Sequence, residues 1–347
     1  MAVYYVPVIV FFILTLVSAV VRRPLMRIIV FGVVLACIVF AGFRFETDFD
    51  FNSYVRIFEE IPPLTHGWSV YSEAVRDLYL EPSFAFMVTL FKVVLPDLWI
   101  FPLMASTSLL LYYRSICRVA TYPALSFLIY IGDGFYLREF TQIRFGLAVS
   151  LGLAGMVALF EGRVWAQRRF FVIACLFHFT AVMLFVTQLW VRVVRSRTTI
   201  VVIATMLFAL TLLGVFDNLI NGLVGINLAP QRIHDHLGTE DAERVSRLTL
   251  VVSYLLLLWM THIVRSEEKD FYWVSIYALA FTFLCLFSGF DLMRRVSFFF
   301  SVALYVMASQ AMIRRRFDFV AVSILFSLAL FSARLNILND YKSWLFH

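Results

Sequence analysis

Long apolar runs separated by short polar and basic segments dominate the pattern of this chain. Apolar runs lie at about residues 3–21, 28–43, 98–113, 119–136, 140–160, 198–216, 248–264, 271–289, 296–313 and 319–333. A helix needs about 20 mainly apolar residues to cross the hydrocarbon core of a membrane. We therefore predict an all-α polytopic integral membrane protein with roughly 10–12 transmembrane helices, forming a single transmembrane domain over residues 1–347.

Two places depart from this regular pattern. The run at 83–95 is apolar but short, and it contains Lys92. Thirteen helical residues reach only about 20 Å, so we predict a re-entrant or interfacial helix that ends at Pro96. The GDG sequence at 132–134 predicts a break in the fourth span near the outer surface, with Arg138 and Glu139 at the start of the next helix.

The run at 170–190 allows two interpretations. It is either one full span, or a helix that breaks near His178 and returns to the side it came from. The second interpretation keeps the basic sequence VRVVRSR (191–197) on the cytoplasmic side, where basic loops are enriched. The choice fixes the side of the membrane on which every later loop lies.

Two longer polar segments interrupt the apolar runs, at 44–82 and 217–247. With the basic clusters placed inside, we expect both segments to be external loops on the same face as Arg138. The first segment mixes carboxylates with aromatic residues, as in RFETDFDFNSY (44–54). This mixture suits sugar binding, and an ordinary solvated loop is the alternative.

Composition supports a membrane protein. The chain is 62% hydrophobic, has a mean hydropathy of +0.88, and contains only 15% charged residues, compared with about 25% in soluble domains. The net charge of +6 comes from basic residues scattered in short clusters, a pattern that does not indicate nucleic-acid binding. The four cysteines show no spacing typical of a metal site or a disulfide framework.

Arginine is the residue type that carries the predicted chemistry. A charged side chain at the centre of a membrane helix costs about 2.5–3.5 kcal/mol on insertion scales, so Arg144 and His178, each in an apolar run, mark a candidate site. Guanidinium groups bind phosphate oxygens in a bidentate manner. Several arginines on the outer face therefore indicate a lipid phosphate or diphosphate, although a single arginine is often only a headgroup contact.

The sequence contains no Walker loop, no GxGxxG, no HExxH and no GxSxG motif. ATP-driven transport and zinc-dependent hydrolysis therefore lack their signatures. We expect neither a cofactor nor a metal site.

Five short motifs follow one another along nearly the whole chain. They are TDFD (47–50) with Tyr54, EPSF (81–84), QIRFGLA (142–148), FHFTA (177–181) and RVSFF (295–299). In this order and spacing they resemble the Wzy-type polysaccharide polymerases, specifically the EpsG-like branch. The chain departs from the family pattern at RIHDH (232–236), which matches a family Lys/Arg-Ile-x-x-Tyr only loosely.

The resemblance implies a GT-C-like helical bundle in the bacterial inner membrane. It also implies polymerisation of undecaprenyl-diphosphate-linked oligosaccharide repeat units at the periplasmic face, in a pathway with a flippase and a chain-length regulator. The candidate catalytic residues are Asp48, Glu81, Arg144 and His178. The candidate substrate-binding residues are Arg44, Tyr54, Arg138, Gln142, Arg232, Arg244, Arg247, Arg294, Arg295 and Tyr341.

Within this set, Arg144 is expected to stabilise the leaving diphosphate. The base for the acceptor hydroxyl is Asp48, Glu81 or His178, and the sequence does not choose among them. A flippase for the same lipid-linked sugar and an O-antigen ligase-like transferase are the alternative functions. A structural membrane subunit would leave Arg144 and His178 unexplained.

Overall fold

The computed structural model describes residues 1–78, 80–216, 218–219, 246–289, 291–336 and 338–344. The predicted second loop, at 217–247, therefore lies almost entirely outside the described residues. Regular structure in the described part is helical, and extended pairing there is limited to two isolated bridges. The predicted all-α polytopic membrane protein is confirmed.

The helices follow one another with short connections. They are α1 (Tyr5–Val17), α2 (Arg23–Gly42), α3 (Phe51–Glu60), α4 (Trp68–Asp77), α5 (Pro82–Phe91), α6 (Ile100–Val119), α7 (Pro123–Tyr130), a π-helix (Ile131–Thr141), α8 (Ile143–Phe160), α9 (Val164–Phe177), α10 (Val186–Val193), α11 (Arg197–Leu212), α12 (Arg247–Ile263), α13 (Phe271–Leu286), α14 (Asp291–Ser301), α15 (Ala303–Ile313) and α16 (Phe317–Leu335).

Within the described residues, four stretches are long and apolar enough to cross a membrane, judged by length and composition. They are Arg23–Gly42, Ile143–Phe160, Arg295–Ile313 and Phe317–Leu335. Chain contacts divide the protein into two compact units, Met1–Val182 with Ala308–His347, and Met183–Met307. In the second unit, α13 is the central helix and packs against α10, α11, α12 and α14.

Helix α8 lies at the centre of the first unit. It packs against α6 and α9, and 83% of its residues are buried. Its sequence FGLAVSLGLAG (145–155) is rich in glycine, alanine and serine. Small side chains allow neighbouring membrane helices to approach closely, and a helix that is buried on nearly all sides is apolar on nearly all sides.

The predicted break at residues 132–134 is wrong. Helix α7 continues directly into the π-helix, so Arg138 and Glu139 lie near the end of this helix and do not start the next one. Gly132 serves close packing instead of a turn. A Cβ atom on Gly132 would lie 2.1 Å from the Ser327 hydroxyl of α16, a separation that real Cβ atoms do not show.

The first polar segment is not an irregular loop. It contains α3 and α4, and α3 is amphipathic. Phe51, Tyr54 and Phe58 lie on one buried face of α3, at a spacing of one or two helical turns. These rings pack against Phe84 of α5 and Phe101 of α6.

The short apolar run after this segment forms α5, as predicted, but α5 ends at Phe91, before Pro96. Its ten residues reach only about 15 Å. The structure contains the break near His178 that one of the two interpretations of 170–190 predicted, and the return of the chain to the side it came from stays a prediction. Helix α9 ends at Phe177, His178 has extended backbone angles, and a 3₁₀ helix (Phe179–Phe185) precedes α10.

A short stretch after α16, residues 338–344, runs antiparallel to residues 43–48. The Phe45 amide donates to the Lys342 carbonyl at 2.9 Å, and the Asn339 amide donates to the Thr47 carbonyl at 2.8 Å. The Trp344 amide donates to the Phe43 carbonyl at 3.1 Å. Hydrogen bonds thus hold the start of the first polar segment to residues that lie almost 300 positions later in the sequence.

Candidate active site

Glu81 and Arg144 meet where two helices begin. Glu81 immediately precedes α5, whose first residue is Pro82, and Arg144 lies in the first turn of α8. The Arg144 Nη1 donates to Glu81 Oε2. The two side chains are 25% and 15% exposed, so the pair is partly open to its surroundings.

The position of Arg144 favours an anion. The N-terminus of a helix carries a partial positive charge, and no side chain caps α8 there. A guanidinium in the first turn adds positive charge to this end. Backbone amides and a cation at a helix N-terminus form a favourable setting for phosphate or carboxylate.

Polar atoms beside the ion pair have no partner. Arg144 Nε and Gln142 Oε1 are buried, and neither makes a hydrogen bond within the described residues. A buried polar atom without a partner costs about 1–3 kcal/mol. These two atoms therefore mark the place where a ligand would complete the hydrogen bonding.

Aromatic rings form the wall beside Arg144. Its guanidinium carbon lies 5.4 Å from the centre of the Phe84 ring and 5.9 Å from that of Tyr54. Both distances fall within the range of cation–π attraction. Burial raises the pKa of the Tyr54 phenol, and the nearby Arg144 charge partly offsets this effect. The phenol is therefore protonated at neutral pH.

His178 lies at the same end of the α8–α9 pair, because these helices are joined by a short connection and pack side by side. Its Nδ1 is 2.7 Å from the Thr180 hydroxyl, and its ring meets the Phe145 ring edge-on at 5.1 Å. His178 is only 8% exposed. It ends helix α9 and does not lie inside an apolar helix.

Arg44 and Asp48 form a separate, closed ion pair. Arg44 Nε donates to Asp48 Oδ2 at 3.0 Å, and both side chains are 0% exposed. Arg44 also donates to the carbonyls of Ala41 and Phe140. Asp48 Oδ1 accepts from the Asp50 amide at 3.0 Å. This burial and bonding favour a structural role for both residues.

Arg138 is fully buried in the π-helix. Its Nη2 is 3.4 Å from Asp133 Oδ2, and its Nη1 donates to the Tyr112 hydroxyl at 3.0 Å. Residues five apart lie above one another in a π-helix, where hydrogen bonds join i and i+5. They would be about 140° apart in an α-helix with 3.6 residues per turn, so the spacing was a signal for this helix type.

Sequence reasoning did not assign a role to Glu139, which is buried next to this pair. Its Oε1 accepts from the Ser108 hydroxyl at 2.8 Å and from the Tyr130 hydroxyl at 2.7 Å. The Tyr130 ring stacks on Tyr112, which binds Arg138. The π-helix thus carries a hydrogen-bonded network that joins it to α6 and α7.

Tyr341, a predicted substrate ligand, packs against other aromatic residues. Its ring stacks on Phe40 with centroids 4.5 Å apart, and its hydroxyl donates to the Phe40 carbonyl at 3.0 Å. The Tyr4 ring meets the Tyr341 ring edge-on. These contacts hold residues 338–344 against α2.

The remaining predicted arginines are in the second unit or outside the described residues. Arg247 is exposed at the start of α12, and Arg295 lies in α14. Arg294 also belongs to α14. Arg232 and Arg244 lie outside the described residues. That these five residues serve the same site as Arg144 stays a prediction.

In the described part of the chain, no three His, Cys, Asp or Glu side chains cluster closely enough to hold a metal ion. All four cysteines are free thiols.

The comparison with known families covers every predicted site residue. The sequence model of the EpsG family matches residues 26–345. No curated protein and no solved structure is a match to the chain, so the GT-C-like arrangement stays a prediction. The matched range includes Glu81, Arg144, His178 and the arginines of α14. Since it spans nearly the whole sequence, the chain belongs to the EpsG family.

Proposed function

We propose that this protein is a glycosyltransferase that polymerises undecaprenyl-diphosphate-linked oligosaccharide repeat units into O-antigen or exopolysaccharide. The EpsG family supports a polysaccharide polymerase-like role. The reaction would take place at the periplasmic face of the inner membrane. The observation that carries the proposal is the partly exposed Arg144 at the start of α8, with an unpartnered Nε and an aromatic wall.

The reaction needs stabilisation of a leaving diphosphate. A hydroxyl oxygen of one repeat unit forms a bond to the anomeric carbon of the growing chain. The bond from that carbon to the phosphate oxygen breaks, and its electron pair leaves with undecaprenyl diphosphate. Arg144 and the α8 N-terminus face this developing charge, and preorganised donors of this kind contribute several kcal/mol.

Glu81 is the best-placed base for the acceptor hydroxyl. It is a partly exposed carboxylate beside Arg144. Asp48 is a weaker candidate because both of its oxygens are bound inside the protein, and His178 has its Nδ1 engaged with Thr180. The proton of the attacking hydroxyl passes to the carboxylate as the new bond forms.

The other predicted ligands take supporting roles in this proposal. Gln142 Oε1 accepts from a sugar hydroxyl, and Tyr54 provides a ring beside the sugar. Arg44 and Arg138 position the surrounding backbone, since both are fully buried. Arg232, Arg244, Arg247, Arg294 and Arg295 remain candidate phosphate ligands.

Replacing Arg144 with alanine tests the proposal. In the native host, Arg144→Ala should reduce polymer formation at least about 100-fold, because the leaving diphosphate loses its main cation. Single repeat units should still reach the surface, as seen by gel analysis of surface glycan. Arg163→Ala, which removes an exposed arginine beyond the other end of α8, is the control and should give normal chains.

The same gel separates the alternatives. Normal chain length in Arg144→Ala would contradict the role of Arg144. Loss of all surface units would favour a flippase. A polymerase and a ligase-like transferase differ in the acceptor, so purified protein should extend a lipid-linked repeat unit when no other acceptor is present.

A further inference from the structure

The two arginine–carboxylate pairs of the first unit differ in a way that bears on mechanism. Arg44 and Asp48 are both 0% exposed and are held by further hydrogen bonds. Glu81 and Arg144 are partly exposed and are joined through Arg144 Nη1, and the Nε has no hydrogen-bond partner in the described part of the chain. A ligand has no access to the first pair, whereas it can reach the second.

From this difference we propose that the Glu81–Arg144 ion pair is a latch that the donor opens. The diphosphate of the lipid-linked donor displaces Glu81 from Arg144, and the released carboxylate then accepts the proton of the attacking hydroxyl. This inference rests on the proposed function and adds an order of events to it, since the base becomes available only when the donor is bound.

The exchange follows from the strengths of the two interactions. A partly exposed carboxylate–guanidinium pair is weak. A diphosphate carries more negative charge, and it offers two oxygens that fit the parallel N–H groups of a guanidinium. The Nε of Arg144 is buried and makes no hydrogen bond within the described residues, and it becomes the second donor of such a bidentate contact once Glu81 has been displaced. The ring of Phe84 keeps the guanidinium in place while its anionic partner changes.

The released carboxylate is the proton acceptor of the proposed step. Freed from Arg144, Glu81 takes the proton of the attacking hydroxyl as the new bond forms. After transfer, undecaprenyl diphosphate departs, Glu81 returns its proton to water, and the ion pair forms again.

The latch predicts that Glu81→Gln separates binding from catalysis. Undecaprenyl diphosphate, titrated into full-length protein in lipid nanodiscs, should bind Glu81→Gln about two- to fivefold more tightly than wild type, because it no longer competes with a carboxylate. Polymerisation by the same variant should fall at least about 100-fold. A merely structural ion pair would give equal or weaker binding, and that result would overturn the latch.

Two further variants complete the experiment. Glu161→Gln removes a carboxylate that pairs with Arg118 and Arg163 at the opposite end of α8, and it should leave the Kd and polymerisation unchanged. Arg144→Ala should weaken binding at least tenfold. If Arg144→Ala binds like wild type, the proposed function fails. If it binds weakly while Glu81→Gln does not bind more tightly, only the latch fails.

A further test uses wild-type protein and therefore does not depend on the correct folding of a variant. Infrared difference spectra on adding undecaprenyl diphosphate should show a shift of one carboxylate stretch, as Glu81 loses its guanidinium partner. The Glu161→Gln variant should show the same shift. Saturable binding of undecaprenyl diphosphate without any carboxylate shift would overturn the latch.

Discussion

Burial gives similar residue pairs different tasks in this protein. Breaking a buried ion pair leaves an uncompensated charge in a medium of low polarity, which is strongly destabilising. A partly exposed pair loses little when one partner is removed. Arg44–Asp48 belongs to the first class and Glu81–Arg144 to the second. Replacing the carboxylate with an amide should therefore lower stability in the first pair and leave it nearly unchanged in the second.

Asp48→Asn should lower the free energy of unfolding by about 3–5 kcal/mol, because Arg44 would stay buried without its counter-charge. Glu81→Gln should change it by less than about 1 kcal/mol. Detergent-solubilised protein can be compared by denaturant titration, with Glu161→Gln as an exposed reference. An Asp48→Asn protein with wild-type stability but no polymerisation would instead assign Asp48 to catalysis.

The sequence predicted one half of the candidate site. Arg144 was recognisable because a charge in an apolar run is costly, and the structure places it at the start of α8. Its pairing with Glu81 could not be predicted, since the two residues are 63 positions apart and come together through the packing of α5 against α9, the neighbour of α8. Arg44, Arg138 and Tyr341 make hydrogen bonds to other residues of the protein, and their role as substrate ligands stays a prediction.

At the scale of elements, the π-helix shows where a sequence pattern misleads. Glycines at 132 and 134 usually end a helix, but here a missing side chain allows contact with α16. Helix type depends on such contacts as much as on propensity. The apolar runs of α2, α8 and α16 were predictable because their length reflects the thickness of a membrane. The amphipathic face of α3 was visible in its spacing, but the carboxylates of the same segment indicated a loop.

The junction between the π-helix and α8 sets the position of Arg144. A Cβ atom on Gly146 would lie 2.6 Å from the Arg138 carbonyl oxygen. Gly146→Ala should therefore push the two elements apart, lower stability by about 1–3 kcal/mol and reduce polymerisation. Thermal unfolding and surface glycan length are the measurements.

The matched control is Gly32→Ala in α2, where, outside the adjoining helix backbone, no atom of the described residues lies within 4 Å of the added methyl group. This change should be neutral or stabilising by up to about 1 kcal/mol, because alanine favours the helix. Equal behaviour of the two alanine variants would contradict a role for the junction in placing Arg144.

At the scale of the first unit, residues 338–344 join parts of the chain that are far apart in sequence. Tyr341 contacts Phe40 and Tyr4 through its ring, and the backbone of the same stretch pairs with residues 43–48. The buried Arg44–Asp48 pair lies within that stretch. The two isolated bridges, Arg44 with Ser343 and Asp48 with Leu338, fall at the two residues of this ion pair.

Substitutions at Tyr341 distinguish packing from substrate binding. Tyr341→Phe removes one hydrogen bond and should cost about 1 kcal/mol of stability, with polymerisation retained. Tyr341→Ala also removes the aromatic contacts and should cost about 3 kcal/mol. Stability and polymer length are measured on the same preparations. Loss of polymerisation in Tyr341→Phe at unchanged stability would show that the hydroxyl acts on substrate.

The pairing of residues 43–48 with residues 338–344 has a consequence for biosynthesis. Chains enter the membrane from the N-terminus as they are made. The stretch around Arg44 therefore emerges early, and residues 338–344, with which it pairs, emerge only after α16. Until then the backbone groups of 43–48 lack these hydrogen bonds. The first polar segment therefore matures late, and nascent chains that stop before α16 ends expose an incomplete segment that quality-control proteases can recognise.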